Sequence, residues 1–520
     1  MIVDSQGAPT PEVPAARMML KRARWATKTF AQYDTAMVTQ IVQAVAEAAG
    51  AEAQRYAHWA VEETGFGVAE HKVIKNLACS TGLLDEYRGL DLATPQVDSS
   101  KKIVRVPRPA GVVLALTPST NPVASIYFKA ILALMGRNAV VFSPHPMAKK
   151  CCFDAAMMLA DAAHAAGAPD GVIQCVEAPS IPLIDALMTD QETDVIVCTG
   201  GSAVVRAAYS SGNPALGVGP GNVPAFVDAS ADIDLAAKTI VESKSFDNSI
   251  LCTNESAVIV VQSVADELAR SMERHGAYFL SGEERDLIRE RLFPGGRFDT
   301  STVGVAASKL AADVGLRVGD RTRILVAPIE MVVNEEPLAH EKLTPVLGFV
   351  RVPNANQGMT AARELVRIGG MGHSAAIHTA NAQQVVDYAN LVEVNRVSVN
   401  VGNSTGSSGI DTHLAPTMTI GTGFFGRSSL SRNLEPTDLV QWTSAAYSTD
   451  DAVAMPEMRG LLPSKSSSTH AMAGSTEARR PTPPAPSKPL RVPAGGSELT
   501  DQLRRLIVEE LQAFISEGTR

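Results

Sequence analysis

Four short apolar runs, spaced by helical stretches, constrain what this chain can fold into more than any other feature. From Val112 they read VVLAL, AVVFS, VIQCV and DVIVC, with glycine closing two of the intervening stretches at Gly136 and Gly167. Strand alternating with helix in this way predicts βαβαβαβ and a mostly parallel sheet covered on both faces. Ligands of such sheets bind beyond the C-terminal ends of the strands. A second set of strand and helix patterns, including AFVDAS, AVIVVQ and ILVAPI, begins after Val223 and predicts a second α/β domain. Ahead of both, from Met18 to Arg88, apolar residues recur at three and four with breaks at Gly50, Gly65 and Gly82, which reads as a run of helices.

Composition narrows the partners. The 520 residues allow three to four units at about 150 residues each. Hydrophobic residues make up 45% and charged residues 19%, so most of the chain folds. Forty-six basic against 55 acidic residues leave a net charge of −9, and no positive field recruits nucleic acid or an anionic membrane. The longest apolar stretches fall short of the roughly 18 to 20 residues that a spanning helix needs. The N-terminal MIVDSQGAPTPEVPAAR carries Asp4 and scattered prolines in place of an apolar signal region. Six cysteines show neither a CxxC pair nor zinc spacing, so no metal site is expected and free thiols in a reducing cytoplasm fit best.

Two predicted strand ends carry chemistry. The first runs into TPSTNP, Thr117 to Pro122, where Pro122 suits the first helical position and Asn121 is a natural N-cap. A capping Asn accepts with its carbonyl oxygen and keeps its NH₂ free to donate, so a structural cap and a catalytic donor are both open readings. The fourth runs into Thr199, Gly200, Gly201 and Ser202, a turn opening a helix, where unpaired N–H groups and close backbone approach suit phosphate. The cluster GVGPGN, Gly217 to Asn222, breaks the GxGxxG pattern and reads as a loop. Cys79, Cys151, Cys152, Cys175 and Cys198 lie in apolar strands or helices and read as small buried hydrophobes. Cys252 instead lies in the polar stretch SFDNSILCTNES, where a thiol is reachable; an inert cysteine is the competing reading.

Together, the TPSTNP strand end, the TGGS turn, the polar cysteine loop and EEPLAHEKLTP resemble the aldehyde dehydrogenase superfamily. The likeness is closest to coenzyme A-acylating members, including the aldehyde dehydrogenase half of bifunctional aldehyde-alcohol dehydrogenases. It covers roughly Met18 to Ser444 through TNPVASIYFKAILALMGRNAVVFSPHP, AAYSSGNPALGVGPGN and KSFDNSILC. The iron-dependent alcohol dehydrogenase half has no counterpart, so no alcohol product is expected. The resemblance implies an α/β fold with a Rossmann-type cofactor domain, an α/β catalytic domain and small oligomerisation elements. It implies Cys252 as nucleophile on a short-chain aldehyde and Asn121 as donor to the oxyanion. Hydride passes to NAD, and coenzyme A takes the acyl group from the cysteine thioester. No positive residue near Cys252 in sequence explains a lowered thiol pKa.

Hydrolytic members carry a glutamate base two residues before the position of Pro220, where this chain has Val218. A thioester without a base for water survives for an external thiol. His373 in GGMGHSAAIHT is a candidate for either acceptor, against an ordinary strand-end histidine. The resemblance also puts the pyrophosphate near Gly200, Gly201 and Ser202, with Thr117 and Gly219 lining the cofactor site. It puts adenosine near Ser143 and His145, and the nicotinamide ribose near Glu341. Each has a plainer alternative: Glu341 as a turn carboxylate, His145 as part of a rigid Pro-His-Pro turn. No acidic residue directly follows the second strand to select a ribose 2′-OH, so NAD over NADP rests on the family. Competing functions are a non-acylating or phosphate-using semialdehyde dehydrogenase, and an idle scaffold of the same fold.

The expected domains are 1–228 for the N-terminal helices and cofactor domain, 229–425 for the catalytic domain, and 426–450 for a return and oligomerisation segment, with a dimer or tetramer expected. Residues 451–497 read as a flexible linker, rich in Pro, Ser and Gly, that cannot build a core. Beyond it, Leu499, Leu503, Leu506, Ile507, Leu511, Phe514 and Ile515 mark an amphipathic helix of about 28 Å over 498–517. Its mixed Arg and Glu face argues against an anionic membrane. A linker followed by a short amphipathic helix resembles the encapsulation peptides of bacterial microcompartments, which implies a shell-protein partner; a helix that folds back on its own domain is the alternative.

Overall fold

A computed structural model describes residues 12–462. The expected helix over 498–517 and all but the start of the expected linker lie outside the described residues; 451–462 form no helix or strand.

The described residues open with five helices, α1 (Glu12–Phe30), α2 (Thr35–Ala51), α3 (Ala53–Thr64), α4 (Ala69–Ala78) and α5 (Thr81–Glu86). Asp34 caps α2 by accepting from the Met37 N–H at 3.0 Å, and Gly65 ends α3 with a left-handed φ of 78°. Helix α4 inverts the usual pattern. Lys72 and Lys75 are 2% and 1% exposed, while Ile74 and Leu77 are 44% and 41% exposed.

Strands β1 (Gln96–Asp98) and β2 (Ile103–Pro109) form an antiparallel hairpin. Then come β3 (Val112–Thr117), β4 (Ala139–Pro144), β5 (Ile173–Cys175), β6 (Val195–Thr199) and β7 (Ala215–Val218), parallel and in the order β5-β4-β3-β6-β7. The four expected runs are β3 to β6. Because the chain leaves β3 toward β4 on one side and later returns to β6 on the other, the sheet has a switch point between β3 and β6. Helix α6 (Pro122–Met135) follows β3 and is buried from Pro122 to Leu134. From it the Lys129 ammonium donates to the Leu116 and Val197 carbonyls at 2.6 and 3.2 Å, bridging the two strands at that point.

The second sheet, also parallel, contains β8 (Val223–Val227), β9 (Glu255–Val261), β10 (Ala277–Phe279), β11 (Ile324–Pro328), β12 (Val346–Val352), β13 (Ala375–His378) and β14 (Val397–Val399), in the order β10-β11-β12-β9-β8-β13-β14. Alternate residues face two cores: Phe226, Ile259 and Leu325 one, Ala225, Val258 and Val326 the other. Strand β8 pairs with β9 and β13, so the chain enters the second sheet at Val223, before the boundary expected at 228. The final strand, β15 (Val440–Ala446), returns to pair antiparallel with β2, Val440 opposite Pro109 and Ala446 opposite Ile103.

Candidate active site

The switch point opens into a cavity of about 330 Å³. Thr117, Asn121, Ser143, His145, Gly200, Gly201, Gly219, Cys252 and Glu341 all line it. They come from both sheets and span more than 200 positions, yet the fold gathers them on one surface. Two of the eleven expected site residues do not join them. Ser202 is the exposed first residue of its helix, and His373 is buried behind the site.

The cofactor end has the chemistry of a polar ligand's cradle. The hydroxyls of Thr117 and Ser143, at the ends of β3 and β4, are buried in the cavity wall without a hydrogen-bond partner among the described residues. Such atoms cost free energy unless a ligand or water satisfies them. A Cβ at Gly201 or Gly219 would meet nothing within 4 Å, so the backbone there is open to close approach. These features fit a dinucleotide. His145 has a local task as well: its Nδ1 accepts from the Met147 N–H at 3.3 Å, capping the turn Pro146–Ala148.

Asn121 stands at the N-cap position of α6, but its side chain does not cap. Its backbone carbonyl accepts the first helical bond from Ser125, at 3.0 Å. The side-chain Oδ1 accepts instead from the Lys75 ammonium at 2.6 Å. With its oxygen held there, the amide has its NH₂ left to donate, and among the described residues it donates only to Thr120 Oγ1, at 3.4 Å.

Cys252 follows a turn of unusual backbone. Asp247, Asn248 and Ser249 have φ of 50°, 51° and 68°, three successive non-glycine residues in the left-handed region. Each such residue costs on the order of 1 kcal/mol or more, so tertiary bonds must hold the turn. Asn248 Nδ2 donates to the Gly304 carbonyl at 2.9 Å, and Ser249 Oγ to Asn254 Oδ1 at 2.7 Å. The Lys244 ammonium reaches the same Asn254 oxygen at 2.6 Å. Asp247 is fully buried, accepts from the Val68 N–H at 2.6 Å and from Lys72 at 3.1 Å, and pairs with Lys75. Among the six cysteines Cys252 alone is partly exposed. Burial of the sulfur, then the Glu341 carboxylate, push its thiol up to about 12, while Arg396 and Lys75 oppose them.

Glu341 is the one carboxylate among the described residues lining the cavity. Its Oε1 accepts from the Gly221 N–H at 3.0 Å, and burial pushes its pKa up to about 8 against that bond and the pull of Lys244 and Lys342. Val218 is buried in the same wall. His373 lies behind Gly221, its Nδ1 2.9 Å from Ser374 Oγ and its Nε2 without a partner among the described residues. Burial and then Arg396 push its pKa down to about 3, so the imidazole is neutral at physiological pH. It does not line this cavity.

The sequence profile of the aldehyde dehydrogenase family matches residues 8–286. An aldehyde-alcohol dehydrogenase of Clostridium acetobutylicum is 37% identical over 435 residues, 82% of this chain and 50% of that protein. This chain belongs to the aldehyde dehydrogenase family. It spans about half the length of the bifunctional relatives it matches. Among solved aldehyde dehydrogenases, an acetylating enzyme from Geobacillus thermoglucosidasius superposes with a TM-score of 0.83 at 35% identity, covering 86% of this chain and 98% of that one. Two propionaldehyde dehydrogenases superpose with TM-scores of 0.76. One, from Rhodopseudomonas palustris with bound propionyl-CoA, is 28% identical and covers 83% of this chain and 94% of its own. The other, from a Clostridium phytofermentans fucose utilisation bacterial microcompartment, is 27% identical and covers 83% and 97%.

Sequence reasoning missed the buried charges of this aldehyde dehydrogenase site: Lys72, Lys75, Asp247 and Arg396. Asp247 stood in view as a polar flank of Cys252. The two lysines, three apart in HKVIKN, look like any solvated helix face, and only the exposure of Ile74 and Leu77 reveals that the face is turned inward. No cluster of three or more His, Cys, Asp or Glu side chains disposed to hold a metal occurs among the described residues. None of the described helices is long and apolar enough to cross a membrane.

Proposed function

We propose that this chain oxidises a short, uncharged aldehyde with NAD and coenzyme A, yielding acyl-CoA through a thioester on Cys252. One observation carries the reading: Cys252, the partly exposed cysteine, and Asn121, whose Oδ1 is held by Lys75, line one cavity with Thr117 and Ser143, whose buried hydroxyls lack partners among the described residues. Cys252 adds to the aldehyde carbon, and the Asn121 NH₂ donates to the alkoxide as it forms. The raised thiol must lose its proton on attack, and Glu341, with a pKa near neutrality, is the lining group able to take it or to hold ribose hydroxyls. When bound, the nicotinamide accepts the hydride. Val218 stands where hydrolytic members carry their base for water; the thiol of coenzyme A displaces Cys252, whose sulfur leaves with the proton that the coenzyme A thiol gives up. The solved relative with propionyl-CoA and the acetylating relative support this acceptor.

Ile250, Leu251, Met418 and Ile420 line the same cavity, with Thr253, Ser408 and Thr417 and neither Lys nor Arg among the described lining residues. A charged aldehyde would lose hydration there without gaining a counter-ion. Residues 426–450 then serve homo-oligomerisation; 498–517 serve as a shell-directed address, a role supported by their apolar spacing and by the microcompartment origin of one relative. Deleting 498–520 should leave turnover intact and release the enzyme from shell-containing fractions; unchanged co-fractionation rejects the address. For the reaction, sustained NADH formation from a short aldehyde, beyond one equivalent per site, should require coenzyme A. Equal rates with and without it overturn acylation.

A further inference from the structure

We propose that Lys75, anchored by Asp247, is the positioning residue of the oxyanion site, holding the Asn121 carbonyl oxygen so that the amide NH₂ faces the cavity. The inference rests on the reading of Asn121 as the oxyanion donor. It begins from the inverted helix α4, which buries two ammonium groups one turn apart. Lys72 donates to the Thr120 carbonyl at 3.2 Å and Lys75 to Asn121 Oδ1 at 2.6 Å, so adjacent residues of the turn after β3 are each gripped by one lysine. Both lysines meet one oxygen of Asp247. Asp247 in turn opens the left-handed turn that leads to Cys252. A single carboxylate therefore ties the donor's clamp to the nucleophile's loop.

The chemistry favours this arrangement over a structural ion pair. An amide can present either end to the cavity, and an inward-facing oxygen would repel an alkoxide. A cation on the oxygen selects the donating end, because an ammonium carries donors only. Two ammonium groups against one carboxylate also leave excess positive charge behind the place where negative charge develops, in a site where water does not screen it. Helix stability asks for neither: burying Lys at two positions while Ile74 and Leu77 face solvent costs burial energy that the local fold does not need.

A double-mutant cycle tests it, reading the burst of NADH and steady-state kcat and KM, with a thermal melt to confirm folding. Lys75→Met should lower kcat at least tenfold with KM for aldehyde within threefold. In an Asn121→Ala background the same change should cost less than threefold, because the group it positions is gone. Losses that multiply across the cycle, or a folded Lys75→Met enzyme within threefold of wild type, overturn the inference. Should Lys75→Met fail to fold, Asp247→Asn takes its place with the same expected coupling to Asn121→Ala, and multiplied losses again overturn it. Wild-type steady-state turnover indifferent to coenzyme A overturns the acylating reading alone, since hydride leaves before acyl transfer and the burst itself needs no coenzyme A; no burst with any aldehyde overturns both.

Discussion

Gly221→Ala should cripple the enzyme through a single methyl group. A Cβ built at this position lies 2.1 Å from the Cys252 carbonyl oxygen and 3.2 Å from His373 Nδ1. Ordinary carbon–oxygen contact is about 3.3 Å, so the two backbones must separate by about 1.2 Å. Gly221 is not among the positive-φ glycines, and the effect is therefore steric alone. The obstacle is backbone, and it cannot swing aside as a flexible side chain would. On one side the displacement falls on the Cys252 loop, already committed to three left-handed residues. On the other it falls on the Gly221 N–H that holds Glu341. Misplacing reacting groups by about 1 Å costs about a hundredfold, and overpacking costs about 1–3 kcal/mol of stability. The assay is kcat for NADH formation, beside the rate of Cys252 alkylation and a denaturant melt. A variant with wild-type kcat and melt would refute the close approach on which the site's geometry depends.

Other substitutions probe single groups. Asn121→Ala should lower kcat a hundredfold or more, about 3 kcal/mol of transition-state stabilisation, in steady-state assays; a loss below fivefold leaves it only a helix terminus. Glu341 tests the pH dependence. With its pKa raised to about 8, it is about 3% ionised at pH 6.5 and about 75% at pH 8.5. If the carboxylate holds the ribose, NAD should bind up to about 25-fold more tightly at the higher pH by calorimetry. Glu341→Gln should flatten that profile. The combined Thr117→Val and Ser143→Ala variant should weaken NAD binding while leaving Cys252 alkylation unchanged, because both hydroxyls belong to residues of the cavity wall and lack partners among the described residues.

The sheet containing β3 to β6 was legible because strands buried on both faces are apolar along their length and helices separate them. Short strands such as β10 and β14, of three residues each, carry no periodicity to read. Cys252 stood out by its polar flanks, and Asn121 by the Pro122 that follows it. What Asn121 does with its side chain was not legible: capping is a local rule, and a lysine 46 positions away overrides it. Helix α4 misleads for a related reason. Its burial is set by Asp247, on a loop 172 positions from Lys75, and amphipathic spacing records only the chain's own face. The pKa of Cys252 depends likewise on Glu341, Arg396 and Lys75, brought together only by the fold.

The most direct test is mass spectrometry of the intact enzyme and its peptides after mixing with NAD and a short aldehyde in the absence of coenzyme A. One acyl group should appear on the peptide containing Cys252, disappear when coenzyme A is added, and be missing from Cys252→Ala. No acylated peptide, an acyl group on another cysteine, or one that discharges equally fast in buffer alone would contradict a cysteine thioester reserved for coenzyme A.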